Sequence, residues 1–315
     1  MRVAAVDLGT NSTRLLVADV AEGELHEVVR RLRITGLGQG LAERRRLLPL
    51  PIARVRNCLV DYRRELEELG AERVLAIGTS AIRDAENGEA FLGEIEWSYG
   101  FTTRLLSGED EARLMLRGVG SGRSLTAGTL LVDVGGGSTE LACDGFRASL
   151  DMGCVRLTER FLSSDPPTPA ELARCAEAAR ALLREHVPPG LRPEARAAIG
   201  VAGTVTTLAA LDLGLERYDH ERIHGHRIAL GSVQAQLERL ASLPLADRRA
   251  VPGLEPERAP VIVAGVSIVR EVMDYFGLTE LEASERDILH GAALEAAELP
   301  ERVEGDAPPG AYTCC

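Results

Sequence analysis

Lysine is missing from this chain of 315 residues, which contains 36 arginines. A Walker A phosphate-binding loop is therefore excluded, because that loop requires a lysine before its final serine or threonine. Catalysis through a lysine Schiff base is excluded for the same reason. Aromatic residues make up only 3% of the chain and hydrophobic residues 45%, so we expect aliphatic cores.

The sequence also lacks cysteine spacings typical of metal sites, and it lacks long apolar runs. The six cysteines form neither CxxC pairs nor the cysteine and histidine spacings of zinc sites. We interpret them as free thiols in a reducing environment. No apolar run is long enough to span a bilayer and no signal peptide is recognised, so we expect a cytoplasmic protein without a membrane partner.

The net charge of −12 argues against nucleic acid as a partner, because a broad nucleic-acid surface requires a basic face. A polyanionic ligand would have to bind through local arginines and backbone dipoles. One local run is Arg44, Arg45 and Arg46. Near a ligand site such a run attracts polyanions, and a solvated surface run is the alternative.

The most informative stretch is centred on residues 129–141. Residues 129–134 are apolar and β-favouring, which predicts a buried strand. Three glycines follow and then two hydroxyl residues, a composition that suits phosphate binding by backbone N–H groups. Asp133 and Glu140 flank this turn and carry the hard oxygen ligands that Mg²⁺ prefers. The alternative is a tight β-hairpin with two solvated carboxylates.

The start of the chain repeats the same pattern. A strand over residues 3–6 leads to Asp7, then to a Gly-Thr-Asn-Ser turn, then to a second apolar strand. A third related segment begins with a strand at residues 197–201, followed by Gly203 and Thr204. Two strand–Asp–Gly–hydroxyl hairpins in one chain indicate two related half-domains that face one phosphate site.

These segments, DLGTNSTRLLV, DVGGGSTEL and VAGTVTTLAAL, occur in an order that resembles the exopolyphosphatase / guanosine pentaphosphate phosphohydrolase (Ppx/GppA) family. The resemblance is to the short, two-domain form and places the chain in the actin, sugar-kinase and Hsp70 superfamily. It implies an α/β fold of two ribonuclease-H-like (actin-like ATPase) domains that face a central cleft.

The sequence also indicates the domain organisation. We expect an N-terminal domain over residues 1–120 and a C-terminal domain over residues 121–299, joined by a small-residue link at 119–128. A last helix, capped by Ser284 and reaching about residue 298, is expected to cross back onto the first domain. Residues 300–315 are expected to form a disordered tail.

Two segments between the hairpins acquire roles through the resemblance. TSAIRDAEN matches a phosphate-contact segment of the family, which implies that Arg83 binds phosphate; a surface pair with Asp84 is the alternative. In the segment SGEDEARL, a serine N-cap and an acidic first turn would explain all three acids structurally. The resemblance selects Glu111 as the catalytic residue and leaves Glu109 and Asp110 as helix-dipole partners.

The resemblance thus implies a complete site. The phosphate-binding set is Gly9, Thr10, Asn11, Ser12, Arg83, Gly136, Gly137, Ser138 and Thr139. Glu111 would activate the attacking water, and Glu140 would orient that water or bind the metal. Asp133 would be the main metal carboxylate, with Glu140 and Asp7 as the others, and the cofactor would be Mg²⁺ or another divalent cation. The family also implies a homodimer.

The predicted function is that of an exopolyphosphatase, which releases orthophosphate from the end of inorganic polyphosphate. The alternative within the family is hydrolysis of the 5′-terminal phosphate of guanosine pentaphosphate. A small-molecule kinase on the same fold and a non-catalytic polyphosphate or nucleotide sensor are two further hypotheses. Against them stand the hydrolase pattern around Glu111 and the presence of both Glu111 and Glu140.

Three other patterns receive structural interpretations. Residues 36–40 contain a loose GxGxxG, which we interpret as a loop because it does not lead from a short buried strand into a helix. His224 and His226 are two residues apart and lack a third ligand, so no metal site is predicted there. A helix is predicted from Arg258 to Phe276, with Pro260 in its first turn.

Overall fold

The computed structural model of the protein describes residues 1–300. Beyond residue 300, the predicted tail lies outside the described residues. The chain forms two compact units, one made of residues 1–124 with 288–300 and the other of residues 125–287. That the chain also folds as two domains divided at residue 120 stays a prediction.

The first unit contains a five-stranded sheet in the order β3-β2-β1-β4-β5. The strands are β1 (Arg2–Leu8), β2 (Ser12–Ala21), β3 (Glu24–Ile34), β4 (Arg73–Gly78) and β5 (Thr102–Leu105). The first three strands form an antiparallel meander, whereas β4 lies parallel to β1, and β5 lies parallel to β4. This arrangement brings the carboxyl ends of β1, β4 and β5 to one edge of the sheet.

Helices cover both faces of the first sheet. They are α1 (Leu41–Arg44), α2 (Pro49–Leu69), α3 (Ser80–Arg83), α4 (Gly88–Tyr99), α5 (Gly108–Gly120) and α13 (Ile288–Ala296). One core lies between the sheet and helices α2 and α4, with Tyr62 and Ile95 fully or nearly fully buried in it. The other core lies under α5 and α13, where Leu114 and Leu289 meet Val3 and Ala5. The last helix therefore packs within the first unit.

The second unit contains a six-stranded sheet in the order β10-β11-β9-β6-β7-β8. Its strands are β6 (Thr129–Val134), β7 (Thr139–Cys143), β8 (Phe146–Leu150), β9 (Ala197–Val201), β10 (Arg227–Ala229) and β11 (Glu280–Ala283). The first three again form an antiparallel meander, and β9 lies parallel to β6. This repeats the arrangement of β1 to β4 in the first unit.

The helices of the second unit are α6 (Cys154–Phe161), α7 (Pro169–His186), α8 (Ala202–Asp212), α9 (His220–Ile223), α10 (Leu230–Ser242), α11 (Leu245–Arg248) and α12 (Ile262–Phe276), with a short 3₁₀ turn at Pro189–Leu191. Their aliphatic core is built mainly from leucine, valine, isoleucine and alanine. The two sheets confirm the predicted α/β class with ribonuclease-H-like topology. Over residues 1–300, every helix is too short or too polar to cross a bilayer.

Two predicted helix starts are wrong. The last helix begins at Ile288 and not after Ser284, because the Ser284 N–H continues the sheet pairing by donating to Gly200 O at 2.8 Å. The long helix of the second unit begins at Ile262 and not at Arg258. The proline at position 260 disfavours a helical conformation for the residue before it, and residues 256–261 form turns instead.

Candidate functional site

The first predicted phosphate-binding turn connects β1 to β2. The Gly9 N–H donates to Ser12 O at 3.0 Å, which closes the turn. The carbonyls of Thr10 and Asn11 accept hydrogen bonds from the following loop, whereas their N–H groups donate to no residue within 1–300. Backbone N–H groups left available in a glycine-containing turn are suited to an anion.

The loop over residues 36–40 packs directly on this turn. The N–H groups of Gly36 and Gly38 donate to Asn11 O and Thr10 O, each at 2.8 Å. A Cβ atom at position 38 would lie 2.3 Å from Thr10 Cγ2, so only glycine allows this approach. The segment is a loop, as predicted, and it supports the turn from outside.

Asp7 and Arg14 are cross-strand partners at the end of β1 and the start of β2. Arg14 Nη2 lies 2.7 Å from Asp7 Oδ2, and both side chains are mostly buried. Asp7 was predicted as a metal carboxylate. Its ion pair with Arg14 compensates the carboxylate charge within the first unit, which makes Asp7 a weaker candidate than the two acids described below.

Arg83 and Glu111 meet at the carboxyl edge of the first sheet. Arg83 ends α3, which follows β4 directly, and its Nη1 donates to Leu106 O at 2.8 Å and to Glu111 Oε1 at 2.5 Å. The side chain of Glu111 is 7% exposed and that of Arg83 is 26% exposed. The structure thus brings together the predicted catalytic acid and a predicted phosphate-binding arginine.

The three acids at the start of α5 occupy different environments. Ser107 and Asp110 form a capping box, and hydrogen bonding by Ser107 lowers the pKa of the Asp110 carboxyl. Glu109 is exposed, whereas Glu111 is buried. Because Asp110 serves the helix terminus, the carboxylate of Glu111 is not required for capping.

The second predicted turn connects β6 to β7 and mirrors the first. The Gly135 N–H donates to Ser138 O at 3.1 Å. The start of α6 binds the turn from its carbonyl side, with Cys154 N donating to Gly135 O and Val155 N to Gly136 O, both at 2.9 Å.

Side chains support this turn as well. Arg156 Nε donates to Gly137 O at 2.7 Å, and Thr139 Oγ1 donates to Met152 O at 2.5 Å. The N–H groups of Gly136, Gly137 and Ser138 donate to no residue within 1–300. In both turns the carbonyls are therefore engaged by protein while several N–H groups remain available for an anion.

Asp133 and Glu140 are direct cross-strand partners on β6 and β7. They are 8% and 3% exposed, and Glu140 Oε1 accepts a hydrogen bond from Ser149 Oγ at 2.7 Å. Residues directly opposite on antiparallel strands share one face of the sheet, with Cβ atoms about 5 Å apart. At the equivalent position the first unit pairs an aspartate with an arginine, whereas the second unit pairs an aspartate with a glutamate.

This donor set fits a divalent cation. Two carboxylates placed side by side repel each other unless a cation or a proton lies between them. Mg²⁺ binds through one or two carboxylates, waters and substrate phosphates, so it does not need a larger protein cage. Within residues 1–300, no group of three or more histidine, cysteine and acidic side chains is arranged to hold a metal by itself.

The third predicted segment begins α8, and here the structure reveals a residue that the sequence did not indicate. Arg258 lies across Gly203, where an added Cβ would be 1.6 Å from Arg258 Nη1. Ala202 has a left-handed φ of 64°, and Thr204 Oγ1 lies 3.5 Å from Val134 O. Arg258 is separated from this segment by more than fifty positions, so only the fold places it there.

The remaining titratable candidates are structural. Cys58, Cys143, Cys154 and Cys175 are buried free thiols, and burial raises the pKa of the last three to about 11. Cys314 and Cys315 lie outside the described residues. His226 Nε2 lies 2.7 Å from Asp212 Oδ2, and His224 Nδ1 accepts from Glu285 N at 3.2 Å. These contacts account for both histidines as parts of turns.

Comparison with known proteins gives the family. The chain is 42% identical over 318 residues to Exopolyphosphatase 2 of Mycobacterium tuberculosis, covering 94% of this chain and 98% of the relative. It is 28% identical over 283 residues to a guanosine-5′-triphosphate,3′-diphosphate pyrophosphatase of Aeromonas salmonicida, covering 88% of this chain and 56% of the relative.

Solved structures agree with these relatives. The crystal structure of an exopolyphosphatase-like protein superimposes with a TM-score of 0.88 at 32% identity and covers 95% of this chain and 99% of that chain. The model of the Ppx/GppA phosphatase family matches residues 16–298. The chain therefore belongs to the Ppx/GppA phosphatase family.

Proposed function

We propose that this protein is an exopolyphosphatase, a phosphoanhydride hydrolase that removes terminal orthophosphate from inorganic polyphosphate. The observation that carries the proposal is the state of the two glycine-containing turns, whose N–H groups at residues 10–11 and 136–138 donate to no residue within 1–300. Such groups bind phosphate oxygens without lysine. The similarity to a mycobacterial exopolyphosphatase over nearly the whole chain supports polyphosphate as the substrate.

Each turn has a defined part in the proposed reaction. In the first unit, Gly9, Thr10, Asn11 and Ser12 bind phosphate oxygens, and Arg83 adds a guanidinium that suits a tetrahedral anion. In the second unit, Gly136, Gly137, Ser138 and Thr139 do the same. Developing negative charge on the transferred phosphoryl group is stabilised by these preorganised donors.

Glu111 is the proposed general base. Its carboxylate accepts a proton from the water that attacks the terminal phosphorus, the bond between that phosphorus and the bridging oxygen breaks, and orthophosphate and the shortened chain leave. The shortened polyphosphate is a good leaving group, so no strong general acid is required. The ion pair with Arg83 positions the Glu111 carboxylate at the carboxyl edge of the first sheet.

Asp133 and Glu140 are the proposed carboxylates for Mg²⁺ or another divalent cation, with Asp7 as a further carboxylate. Such a cation, when bound, neutralises phosphate charge and polarises the phosphoryl oxygens. The Ser149 hydroxyl donates to Glu140 Oε1 and so restrains the carboxylate that is proposed to bind the cation or orient the water.

The deciding experiment measures orthophosphate release with Mg²⁺ from polyphosphate of defined length, guanosine pentaphosphate and ATP. Wild type is compared with Glu111→Gln and with Glu109→Gln, an exposed acid of the same helical turn. We expect release from polyphosphate that falls at least 100-fold in Glu111→Gln and stays near wild type in Glu109→Gln. Undiminished activity of Glu111→Gln would refute the proposed base.

The second candidate function is hydrolysis of guanosine pentaphosphate, which the similarity to the Aeromonas pyrophosphatase favours. Release from the guanosine nucleotide alone would replace the first proposal by this one. Phosphate transfer from ATP to an added acceptor would indicate a kinase, and binding without release would indicate a sensor.

The proposal includes a cytoplasmic homodimer that binds no nucleic acid. The homodimer and the location rest on the family resemblance, and the nucleic-acid statement rests on the net charge of −12. Sedimentation velocity at micromolar concentration tests the dimer, and cell fractionation tests the location. A monomer over that range would contradict the first part.

A further inference from the structure

A cationic run that the proposed site does not use lies at the end of α1. Arg44, Arg45 and Arg46 are all exposed. Their guanidinium groups make no hydrogen bond or ion pair with any of residues 1–300. In a chain of net charge −12, three adjacent arginines without an ion pair to residues 1–300 create a local positive potential.

The backbone of this run is fixed and not merely solvated. The carbonyl of Arg45 accepts a hydrogen bond from Glu86 N at 2.9 Å. Both backbone groups of Leu47 bind the side-chain amide of Asn87, which accepts from Leu47 N at 2.8 Å and donates to Leu47 O at 3.1 Å. Arg45 itself adopts a left-handed φ of 51°, which this anchoring maintains.

The same contacts connect the run to both phosphate-binding segments proposed in the first unit. Glu86 lies three residues after Arg83, and three residues span at most about 11 Å. On the other side, the loop over residues 36–40 joins α1 to the turn at Thr10 and Asn11 through two hydrogen bonds. The arginine run is therefore anchored next to the place where the terminal phosphates are proposed to bind.

We propose that Arg44, Arg45 and Arg46 form a second binding site for polyphosphate, occupied by phosphates further along the chain than those being hydrolysed. The inference rests on the proposed function. A long polyphosphate extends beyond the turn at residues 9–12. Arg54 also lies against the loop at Gly36, but its guanidinium donates to Thr35 O and Gln39 Oε1, whereas those of Arg44, Arg45 and Arg46 make no such contact within residues 1–300. A long chain has phosphates left over after its end is bound at the turn, whereas a substrate of three phosphates has few, so we expect the run to favour long chains.

Two acids moderate this site. Glu43 and Glu86 are both exposed. Glu43 precedes Arg44 in the chain, and the backbone N–H of Glu86 donates to the carbonyl of Arg45. They lower the local positive potential, so removing their charge should have the opposite effect to removing the arginines. This gives the proposal a test in both directions.

The test is a calorimetric titration of long-chain polyphosphate and of tripolyphosphate into protein carrying Glu111→Gln, which prevents turnover during the measurement. The variant replaces Arg44, Arg45 and Arg46 by glutamine. Each exposed charge contact changes affinity by about a factor of two, so we expect about tenfold weaker binding of the long chain. Affinity for tripolyphosphate should change less than twofold, and triple replacement by lysine should restore long-chain binding.

The matched control replaces Arg64, Arg174 and Arg239 by glutamine. These arginines are also exposed and also make no ion pair within residues 1–300, so the same charge is removed elsewhere. Glu43→Gln with Glu86→Gln should tighten long-chain binding by about threefold. Equal weakening of both ligands, equal weakening by the control, or no weakening would overturn the proposal.

Two further arms separate this inference from others. An RNA oligonucleotide that competes as well as polyphosphate would overturn the assignment to polyphosphate. Because binding is measured without turnover, the titration stands apart from catalysis. If wild type released no phosphate while the arginine variant still lost long-chain binding, the proposed function would fail and the binding site would remain.

Discussion

Arg83 and Glu111 form a largely buried ion pair that links two segments whose roles were predicted separately. Arg83 Nη1 lies 2.5 Å from Glu111 Oε1. A guanidinium that contacts the proposed base can bind substrate phosphate only by sharing its donors. In the proposed mechanism, the pair therefore couples phosphate binding by Arg83 to the state of the base.

Arg83→Gln should lower kcat/KM and move the acid limb of its pH profile to higher pH. The neighbouring cation favours the ionised carboxylate, so its loss makes a neutral Glu111 persist to higher pH. The free energy of unfolding should fall by about 2 kcal/mol, as for loss of a hydrogen bond to a charged group. A pH profile identical in shape to that of wild type would contradict this role, and Arg83→Lys should retain the wild-type limb.

Glu140→Gln should abolish activity while leaving the fold intact. It keeps the size of the side chain and removes one of the two acids that lie directly opposite each other on β6 and β7. The Gln side chain still accepts from Ser149. Activity should be lost, and Mg²⁺ should raise the melting temperature of wild type but not of the variant.

Glu238→Gln is the control for that experiment, because this acid is exposed on α10. It should leave both the activity and the Mg²⁺-dependent shift unchanged. For wild type, removal of divalent cations should abolish phosphate release, and added Mg²⁺ should restore it. A Glu140→Gln protein that is still stabilised by Mg²⁺ would place the cation elsewhere.

Gly38→Ala should disturb the first turn through the side chain of Thr10, one of the residues proposed to bind phosphate. The new methyl group would lie 2.3 Å from Thr10 Cγ2, and overpacking of this kind costs about 1–3 kcal/mol. Phosphate release should fall with stability. Thr10→Ser removes the opposing methyl group, so the double variant should recover most of both. Gly93→Ala, which has open space around it, should be neutral.

Glu27 and His290 should give the first unit a specific acid sensitivity. Burial raises the pKa of Glu27, but hydrogen bonding by His290 and the charges of Arg30 and His290 outweigh it and lower the pKa to about 2. Because the pKa of Glu27 is lower in the folded state, its carboxylate stabilises the fold at pH values above about 4.3, the pKa expected in the unfolded chain. This stabilisation is lost as the pH falls towards 2.

Urea unfolding of Glu27→Gln tests the direction of this pH dependence. The variant should be less stable than wild type at pH 7, and the difference should shrink as the pH is lowered below about 4.5. Glu24→Gln, an exposed acid on the same strand, should show no such convergence. A difference that grows on acidification would contradict the assignment.

Much of this fold could be predicted from sequence because the hairpins carry strong local signals. Alternating or continuous apolar strands end in an aspartate and a glycine turn, and these signals need no tertiary context. The start of α13 was mispredicted because Ser284 is a good cap by local chemistry, yet sheet pairing takes its N–H.

The site was harder to predict where distant residues meet. The pairing of Arg83 with Glu111 and the position of Arg258 over Gly203 depend on packing between separate elements, which no local pattern encodes. The register that sets Asp133 opposite Glu140 follows from the length of the glycine turn, so it was accessible in principle. The hydrogen bond from Glu86 N to the carbonyl of Arg45 could not be predicted, because it joins two loops that are distant in the sequence.

The last helix gives the folding of this chain a particular order. One face of the first sheet, around Val3 and Ala5, is completed by Leu289 and Ala292, which come after the whole second unit in the chain. During synthesis on the ribosome, residues 125–287 are available to fold before residues 288–300 exist. Until then α5 alone covers this face, and the part that α13 covers in the folded protein stays exposed in a nascent chain stopped before residue 288.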